Sequence, residues 1–176
     1  LLAGDVYDYV VVGNYLYTVG DYYDTGYSLL TVWDMSDLAN TQNVGFFENT
    51  NYYYYNQVKY HNGSLFVTAS DFSNGKILVF NLDDPTTPTQ VDSIGSNGSP
   101  YYTYTLPYIA HSGDYLFSIG DDEYNCPMVV FDISVVDTIT KHGDVSRLGG
   151  KWANPPVYFN NHVLIPSSGT DDLFDV

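Results

Sequence analysis

Tyrosines and acidic residues recur together in the polar segments of this chain. The sequence contains 19 tyrosines, and two tyrosine-rich segments, at residues 51–56 and 101–104, lie in register about 49 residues apart. A tyrosine ring offers a flat apolar surface with a hydroxyl at its edge, so clustered tyrosines suit stacking on sugar rings or docking onto another protein. Carboxylates beside them could accept hydrogen bonds from sugar hydroxyls or hold Ca²⁺, which takes oxygen ligands. We therefore predict one recognition face that is both acidic and rich in tyrosine.

The candidate residues of this face fall into two sets. The predicted ligand-binding or partner-binding residues are Tyr22, Tyr23, Tyr53, Tyr55, Tyr102, Tyr104 and Tyr124. The candidate Ca²⁺ ligands are Asp21, Asp24, Asp71, Asp121, Asp122 and Glu123. None of these segments has the alternating acidic spacing of an EF-hand loop, so solvated turn chemistry is the competing interpretation, and no other cofactor is indicated. For the tyrosines, the competing interpretation is packing between neighbouring sheets.

Two sequences are potential sites of N-glycosylation. Asn62 and Asn97 each begin an Asn-Gly-Ser sequence, which is a glycosylation acceptor when a protein is exported through a glycosylating pathway. The same three residues are ordinary tight-turn chemistry. We favour a turn at Asn62 and keep both positions as candidate modification sites.

The charge balance excludes two classes of partner. With 21 acidic and 5 basic residues the formal net charge is -16 at pH 7, which repels the phosphates of nucleic acids and anionic lipids. No apolar run approaches the ~18 residues of a membrane span. We predict neither nucleic-acid binding nor a membrane span. The single cysteine, Cys126, excludes an internal disulfide.

Motifs of common enzymes are missing from the sequence. It has no Gly-x-Ser-x-Gly elbow, no His-Glu-x-x-His, no Cys-x-x-Cys and no phosphate-binding glycine loop. Glycosidases need only two carboxylates about 5 to 10 Å apart, so loop acids around Asp71 and Asp121 keep a hydrolase or lyase open as the alternative. The predicted first strand of each repeat contains no acid apart from Asp8 at one margin, which favours a non-catalytic protein.

Two landmarks recur with the same period and define the elements that position these residues. An aromatic residue followed by Asp or Asn recurs at Trp33, Phe80, Phe131 and Phe174. A tight turn followed by an apolar strand recurs before Leu16, Leu65, Leu116 and Val163. The turns contain the Gly, Asn and Asp residues that tight hairpins need, and their flanks are β-branched and aromatic. Four short strands in a unit of 40 to 50 residues are typical of a propeller blade.

The sequence therefore predicts an all-β propeller of about four blades in a single domain, with almost no helix. The repeat units span approximately residues 9–47, 57–94, 107–145 and 156–176, and residues 1–8 could supply a closing strand. The chain would form either a closed four-bladed ring or a segment of a larger propeller. The Asp or Asn of the aromatic motif repeats too regularly for one catalytic site, so we expect its side chain to bind local backbone amides.

The sequence around the third strand resembles a known family. Residues 30–37 and 77–85 are similar to the LVIVD repeat of bacterial and archaeal surface proteins, although Val135 and Val136 replace the Asp-Pro turn in the third repeat. The resemblance implies a secreted or cell-surface propeller and no particular reaction. We therefore predict a non-catalytic extracellular or cell-surface module for binding or assembly. Its partners would be other protein subunits or cell-surface glycans, and it would form a homo-oligomer or an extracellular filament.

Overall fold

A computed structural model describes most of the chain as β-strands. The described residues are 4–22, 28–49, 54–70, 75–95, 108–119, 126–148, 156–160, 162–165 and 172–175. They form four antiparallel sheets, three with four strands and one with three, and each sheet is contiguous in sequence. Within this part of the chain the helical elements are two 3₁₀ turns, Leu38–Asn40 and Val136–Thr138. No helix here is long and apolar enough to cross a membrane.

The strands follow one another in space as they do in the sequence. The first sheet contains β1 (Gly4–Val12), β2 (Tyr15–Tyr22), β3 (Ser28–Asp34) and β4 (Gln42–Asn49). The second contains β5 (Tyr54–His61), β6 (Ser64–Ser70), β7 (Gly75–Asn81) and β8 (Thr89–Ile94). The third contains β9 (Tyr108–Ser112), β10 (Tyr115–Ile119), β11 (Cys126–Asp132) and β12 (Thr140–Leu148). The fourth contains β13 (Val157–Phe159), β14 (His162–Ile165) and β15 (Asp172–Asp175).

Each sheet begins with a tight hairpin, as the turn residues predict. Positive φ angles occur at Gly13 (59°), Asn62 (43°), Gly63 (82°), Gly113 (52°) and Asn160 (52°). Glycine and asparagine tolerate this region better than other residues, which is why the hairpins turn there. The prediction of four repeats that each begin with a hairpin is confirmed, since each repeat forms one antiparallel sheet.

A backbone hydrogen bond ties each of the first three hairpin turns to the end of the third strand. The amide of Met35 donates to the carbonyl of Asn14 at 2.8 Å, that of Leu82 to Gly63 at 2.9 Å, and that of Ile133 to Asp114 at 2.8 Å. We call this bond the turn clasp. It fixes where β3, β7 and β11 end relative to the hairpin.

The Asp or Asn of the aromatic motif caps the turn after the third strand. Asp34 Oδ1 accepts the amide of Ser36 at 2.8 Å, Asn81 Oδ1 that of Asp83 at 2.6 Å, and Asp132 Oδ1 that of Ser134 at 2.9 Å. The prediction that these side chains bind local backbone amides is confirmed at all three positions.

The first strand departs from prediction. β1 is continuous from Gly4, and its residues 4–6 pair with β2 from Gly20 to Tyr22. Residues 4–8 therefore belong to the first strand of the first sheet, and their assignment to a separate closing strand is wrong. The N-terminal extension also places Asp5 in this strand, so β1 carries two acids where the sequence suggested one.

The chain divides into two compact units. The first comprises Leu1–Asp71 and Ile77–Ser93, and the second comprises Phe72–Lys76 and Ile94–Val176. In the first unit the facing sides of the first two sheets form a core in which Tyr17, Val32, Tyr55, Leu65 and Phe80 are fully buried. The rings of Phe47 and Phe80 meet edge to face with centroids 4.9 Å apart, a favourable aromatic geometry.

The second unit has its own smaller core. Phe117, Ile119 and Met128 of the third sheet pack with Val163 of the fourth, and Tyr158 packs against them. The rings of Phe117 and Tyr158 are nearly parallel, with an interplanar angle of 12° and centroids 6.1 Å apart. Aromatic stacking therefore joins these two sheets.

Candidate functional site

The open end of the first hairpin, away from its tight turn, brings acidic and aromatic side chains together. Asp5 lies opposite Asp21 in the pairing of β1 with β2, and the register shifts between Val6 and Asp8. Tyr7 is the extra residue of this bulge. Because a bulge redirects a side chain out of the regular alternation, it can aim Tyr7 along the sheet toward Asp21.

Asp21 is held by two hydrogen bonds. The hydroxyl of Tyr7 donates to Asp21 Oδ2 at 2.9 Å, and the backbone amide of Asp5 donates to Asp21 Oδ1 at 3.3 Å. Both carboxylate oxygens therefore accept a bond within the protein. We call Asp5, Tyr7 and Asp21 the acidic corner.

A glycine allows the two strands to approach at this corner. A Cβ built on Gly20 would collide with the backbone carbonyl of Asp5. Backbone cannot move aside as a flexible side chain can, so any larger residue at position 20 would push β1 away from β2. The acidic corner depends on this glycine.

The surroundings of Tyr7 make its hydroxyl harder to ionise. Partial burial is the largest cause that raises the pKa of Tyr7 to about 12, followed by its hydrogen bond to Asp21 and the negative charge of Asp21. Asp5 and Tyr54 add smaller contributions in the same direction. The hydroxyl therefore stays protonated, and can donate to Asp21, to a higher pH than an ordinary tyrosine.

The surface around the corner is apolar and open. Val6 and Tyr9 of β1 are exposed, Tyr9 by 65% of its surface, and Tyr7 is exposed by 43%. A cavity of only about 50 Å³ lies beside them, lined by Asp21, Leu29 and Trp33 among others. That volume suits ordered water rather than a sugar ring, so a ligand here would bind on the surface.

The structure places four of the candidate residues named from the sequence. Asp21 lies in the acidic corner, and Tyr22 ends β2 with its backbone opposite Gly4. Asn62 occupies the positive-φ position of the second hairpin turn, as its turn chemistry predicts. Tyr55 is fully buried in the core of the first unit, so its assignment to an exposed face is wrong.

The burial of Tyr55 follows from an irregular strand. The register of β5 with β6 shifts between Tyr55 and Val58, so two residues three positions apart both face the core. The remaining candidates lie outside the described residues: Tyr23, Tyr53, Tyr102, Tyr104, Tyr124, Asp24, Asp71, Asp121, Asp122, Glu123 and Asn97. Within the described ranges, no group of three His, Cys, Asp or Glu residues could hold a metal ion.

Asp5 and Tyr7 are not among the residues predicted from the sequence. The alternation of Tyr7, Tyr9 and Val11 at a period of two continues the predicted first strand toward the N-terminus and could have revealed them. The partners of Asp8 were not predicted either. Asp8 Oδ2 accepts Lys59 Nζ at 2.8 Å and the amide of Val58 at 3.1 Å, which joins β1 to β5.

Comparison with solved structures identifies the fold. The chain is similar to the periplasmic gluconolactonase of Pseudomonas aeruginosa, with 15% identity and a TM-score of 0.72 over 97% of this chain and 49% of that one. It is similar to the Nup133 β-propeller domain of Vanderwaltozyma polyspora, with 9% identity and a TM-score of 0.55 over 92% of this chain and 52% of that one. It is also similar to an α-L-arabinofuranosidase of Clostridium thermocellum, with 14% identity and a TM-score of 0.55 over 98% of this chain and 67% of that one.

The chain has a β-propeller fold. It spans about half the length of the gluconolactonase and Nup133 chains that it matches. No protein-family model and no curated protein sequence matches it. At these identities the likeness concerns the fold alone.

Proposed function

We propose that this chain is a non-catalytic binding and assembly module of an extracellular or cell-surface protein, and that the acidic corner is part of its contact surface. The observation that supports this most is the state of the corner itself. Asp21 accepts two internal hydrogen bonds, one of them from the Tyr7 hydroxyl, and the raised pKa of Tyr7 makes that hydroxyl a poorer acid than an ordinary tyrosine. Groups held in this way suit fixed recognition better than proton transfer.

The surroundings favour a protein partner. The exposed side chains of Val6, Tyr7 and Tyr9 give the apolar and aromatic contact area that is enriched in the centre of protein interfaces. The adjacent cavity of about 50 Å³ is too small for a sugar. We therefore place other protein subunits, including further copies of this chain, ahead of cell-surface glycans as partners.

Three general properties support an exposed location. The repeat resembles that of LVIVD surface proteins, the net charge is -16, and the chain shares a fold with a periplasmic protein. A strong negative charge keeps a protein soluble and repels nucleic acids. We propose self-association into a filament, in which the apolar contact area of Val6, Tyr7 and Tyr9 offsets the repulsion between negatively charged copies.

The proposal is tested by measuring self-association of the purified chain by sedimentation velocity over a range of concentrations. Tyr9→Ala should weaken association at least about tenfold, the effect of losing one aromatic hot spot of roughly 1.4 kcal/mol. Phe159→Ala is the matched control, because Phe159 is also an exposed aromatic on a first strand but lies in the second unit. Equal association of all three proteins would rule out the corner as the contact surface.

A carbohydrate-active enzyme is the second candidate. It is favoured by the position of Asp5 opposite Asp21 at an open strand end, and by the likeness of the fold to a gluconolactonase and an arabinofuranosidase. A glycosidase requires two carboxylates across a cleft. Turnover of aryl glycosides or sugar lactones by the chain, lost in both Asp5→Asn and Asp21→Asn, would replace the binding proposal with this one.

A further inference from the structure

Three polar residues stand side by side at the open end of the first hairpin. Asp5 of β1 pairs with Asp21 of β2, and Asp21 pairs with Ser28 of β3. Residues directly opposite each other in antiparallel strands project from the same face, with Cβ atoms about 4.5 to 5.5 Å apart. We call Asp5, Asp21 and Ser28 the polar row. It brings two carboxylates and a hydroxyl together.

The polar row lies on the face of the first sheet that packs against the second sheet. Val19 and Leu30, each two residues from a member of the row, are buried in the core of the first unit. Side chains alternate between the two faces of a strand, so Asp21 and Ser28 share the face of Val19 and Leu30. The row is therefore the polar margin of the core between two four-stranded sheets.

Ser28 is the unusual member of the row. Its side chain is fully buried, and Oγ has no hydrogen-bond partner among the residues that the structure describes. A buried hydroxyl that has given up water without gaining a partner is destabilising, and such a group in a folded protein calls for a water molecule or an ion beside it. Because Ser28 lies beside Asp21, whatever contacts its Oγ also lies next to a carboxylate.

The two carboxylates concentrate negative charge at the same place. The groups that donate to Asp21 are the Tyr7 hydroxyl and the Asp5 amide, and both are neutral. A carboxylate has about four lone-pair positions, and these two bonds use only two of them. The charges of Asp21 and Asp5 both contribute to the raised pKa of Tyr7, so both act on one hydroxyl. Negative charge and spare oxygen lone pairs therefore coincide in the row.

This set of ligands favours one class of cation. Ca²⁺ binds six to eight oxygen ligands in a flexible geometry, including carboxylates and water. Mg²⁺ requires a near-ideal octahedron, and transition metals prefer the nitrogen and sulfur of His and Cys. Three oxygen-bearing side chains in a line across a sheet supply one side of a coordination sphere and leave the other to water. Such an arrangement suits Ca²⁺ best.

We propose that the polar row binds a Ca²⁺ ion through the carboxylates of Asp5 and Asp21 and through Ser28 Oγ, with water completing the coordination. Asp21 is a candidate Ca²⁺ ligand from the sequence, but its partners Asp5 and Ser28 follow from the pairing of the strands. The described residues bring no three acidic, His or Cys side chains together, so we expect a Kd of about 10⁻⁴ to 10⁻³ M, the range of extracellular modules. The ion would also reduce the charge of the acidic corner where copies meet, a consequence that rests on the proposed function.

The test is calorimetric titration of the chelator-treated 176-residue chain with CaCl₂, at a protein concentration where sedimentation velocity shows single chains. We expect saturable binding of about one ion, and at least about tenfold weaker binding by Asp21→Asn, since ligand charge sets the affinity of Ca²⁺ sites. Glu48→Gln is the matched control. Glu48 is exposed and pairs with Leu29, next to Ser28 but on the other face of the sheet, so the variant should bind as the parent does.

Ser28→Ala distinguishes a bound ion from a buried hydroxyl alone. In chelator this variant should melt at or above the temperature of the parent, because it removes a buried hydroxyl without a partner. In Ca²⁺ at about ten times the Kd, the parent should gain more in melting temperature than Ser28→Ala, because the variant has lost a ligand. The variant should also bind Ca²⁺ more weakly in the titration.

Three results would overturn the proposal. The first is the absence of saturable binding. The second is equal weakening by Asp21→Asn and Glu48→Gln, which would indicate general screening of a chain with a net charge of -16. The third is an unchanged affinity in Ser28→Ala, which would leave water as the partner of Oγ. Since binding is measured on single chains, Ca²⁺ binding by a chain that does not self-associate would overturn only the proposed function.

Discussion

Tyr17, Val32 and Gly45 are paired in one row across the first sheet, which we call the first row, and Phe117, Val130 and Gly143 form the equivalent third row of the third sheet. A turn of the second sheet covers the first row, whereas the third row opens onto a cavity. Tyr17, Val32 and Gly45 lie beneath the second sheet and its turn, whereas Phe117 and Val130 line a space of about 410 Å³. Within the described part of the chain, no atom lies over the Cβ position of Gly143. The strands themselves do not explain this difference. In the first row the cover is the turn after β7, whose Thr86 carbonyl lies against Gly45.

The largest expected difference concerns the two glycines. Gly45→Ala would drive a Cβ into the backbone carbonyl of Thr86, so we expect it to lower the free energy of unfolding by about 2 to 3 kcal/mol. Gly143→Ala meets open space and should change it by no more than about 0.5 kcal/mol. Denaturant unfolding of both variants checks this. Equal effects would mean that the two rows are covered alike.

The Tyr17 hydroxyl provides the second comparison. Tyr17→Phe converts the first row to the composition of the third and removes the bond to Pro85, at an expected cost of about 1 kcal/mol. Phe117→Tyr makes the opposite change beside a solvent-open cavity and should be near neutral. Urea unfolding gives the change in the free energy of unfolding for both variants, from the shift of the midpoint at an unchanged denaturant slope. If Phe117→Tyr loses more stability than Tyr17→Phe, the cavity has no room for a hydroxyl.

A weaker effect is expected from the ion pair that joins β1 to β5. Asp8 Oδ2 and Lys59 Nζ are 2.8 Å apart, and about a quarter of each side chain is exposed. The equivalent positions in the second unit are Tyr108 and Val157, which cannot form an ion pair. A double-mutant cycle with Asp8→Asn and Lys59→Met should give a coupling of about 0.5 to 1 kcal/mol that falls in 1 M salt. Coupling that is absent at low salt would remove the pair as a stabilising link between the two strands.

The smallest effect concerns the capping aspartates, which both units possess. Hydrogen bonds from the amide and hydroxyl of Ser36 lower the pKa of Asp34, and those from the hydroxyl and amide of Ser134 lower the pKa of Asp132. A carboxyl with a lowered pKa in the folded state stabilises the fold above its unfolded pKa, about 4, and this stabilisation is lost as pH falls through the folded pKa. Asp34→Asn and Asp132→Asn should therefore each reduce the difference in melting temperature between pH 7 and about pH 3. Glu48→Gln, an exposed change on β4, is the control, and an unchanged difference in both aspartate variants would contradict the assignment.

Most of the strand architecture could be predicted from the sequence because the hairpin turns have a characteristic residue composition. Residues that accept positive φ recur at the hairpins, and the apolar and aromatic runs beside them leave few alternatives to paired strands. The capping role of Asp34, Asn81 and Asp132 was predictable for the same reason, since such side chains bind amides two residues ahead.

The candidate site could be predicted only in part, because strand irregularities decide which side chains meet. The bulge at Tyr7 and the register shift between Tyr55 and Val58 interrupt the period of two that predicts burial. The first brings Tyr7 to Asp21, and the second buries Tyr55. The cavity on the third row depends on packing between sheets, about which the alternation within one strand carries no information.

The turn clasp has a consequence for how the chain folds. Each of its three bonds closes a loop of about twenty residues, between a hairpin turn and the residue that follows the third strand. Closing so short a loop costs little chain entropy, and pairings that are local in sequence favour fast folding. Each of these three sheets can therefore bring its own strands together early in folding, before its apolar face packs against a neighbouring sheet.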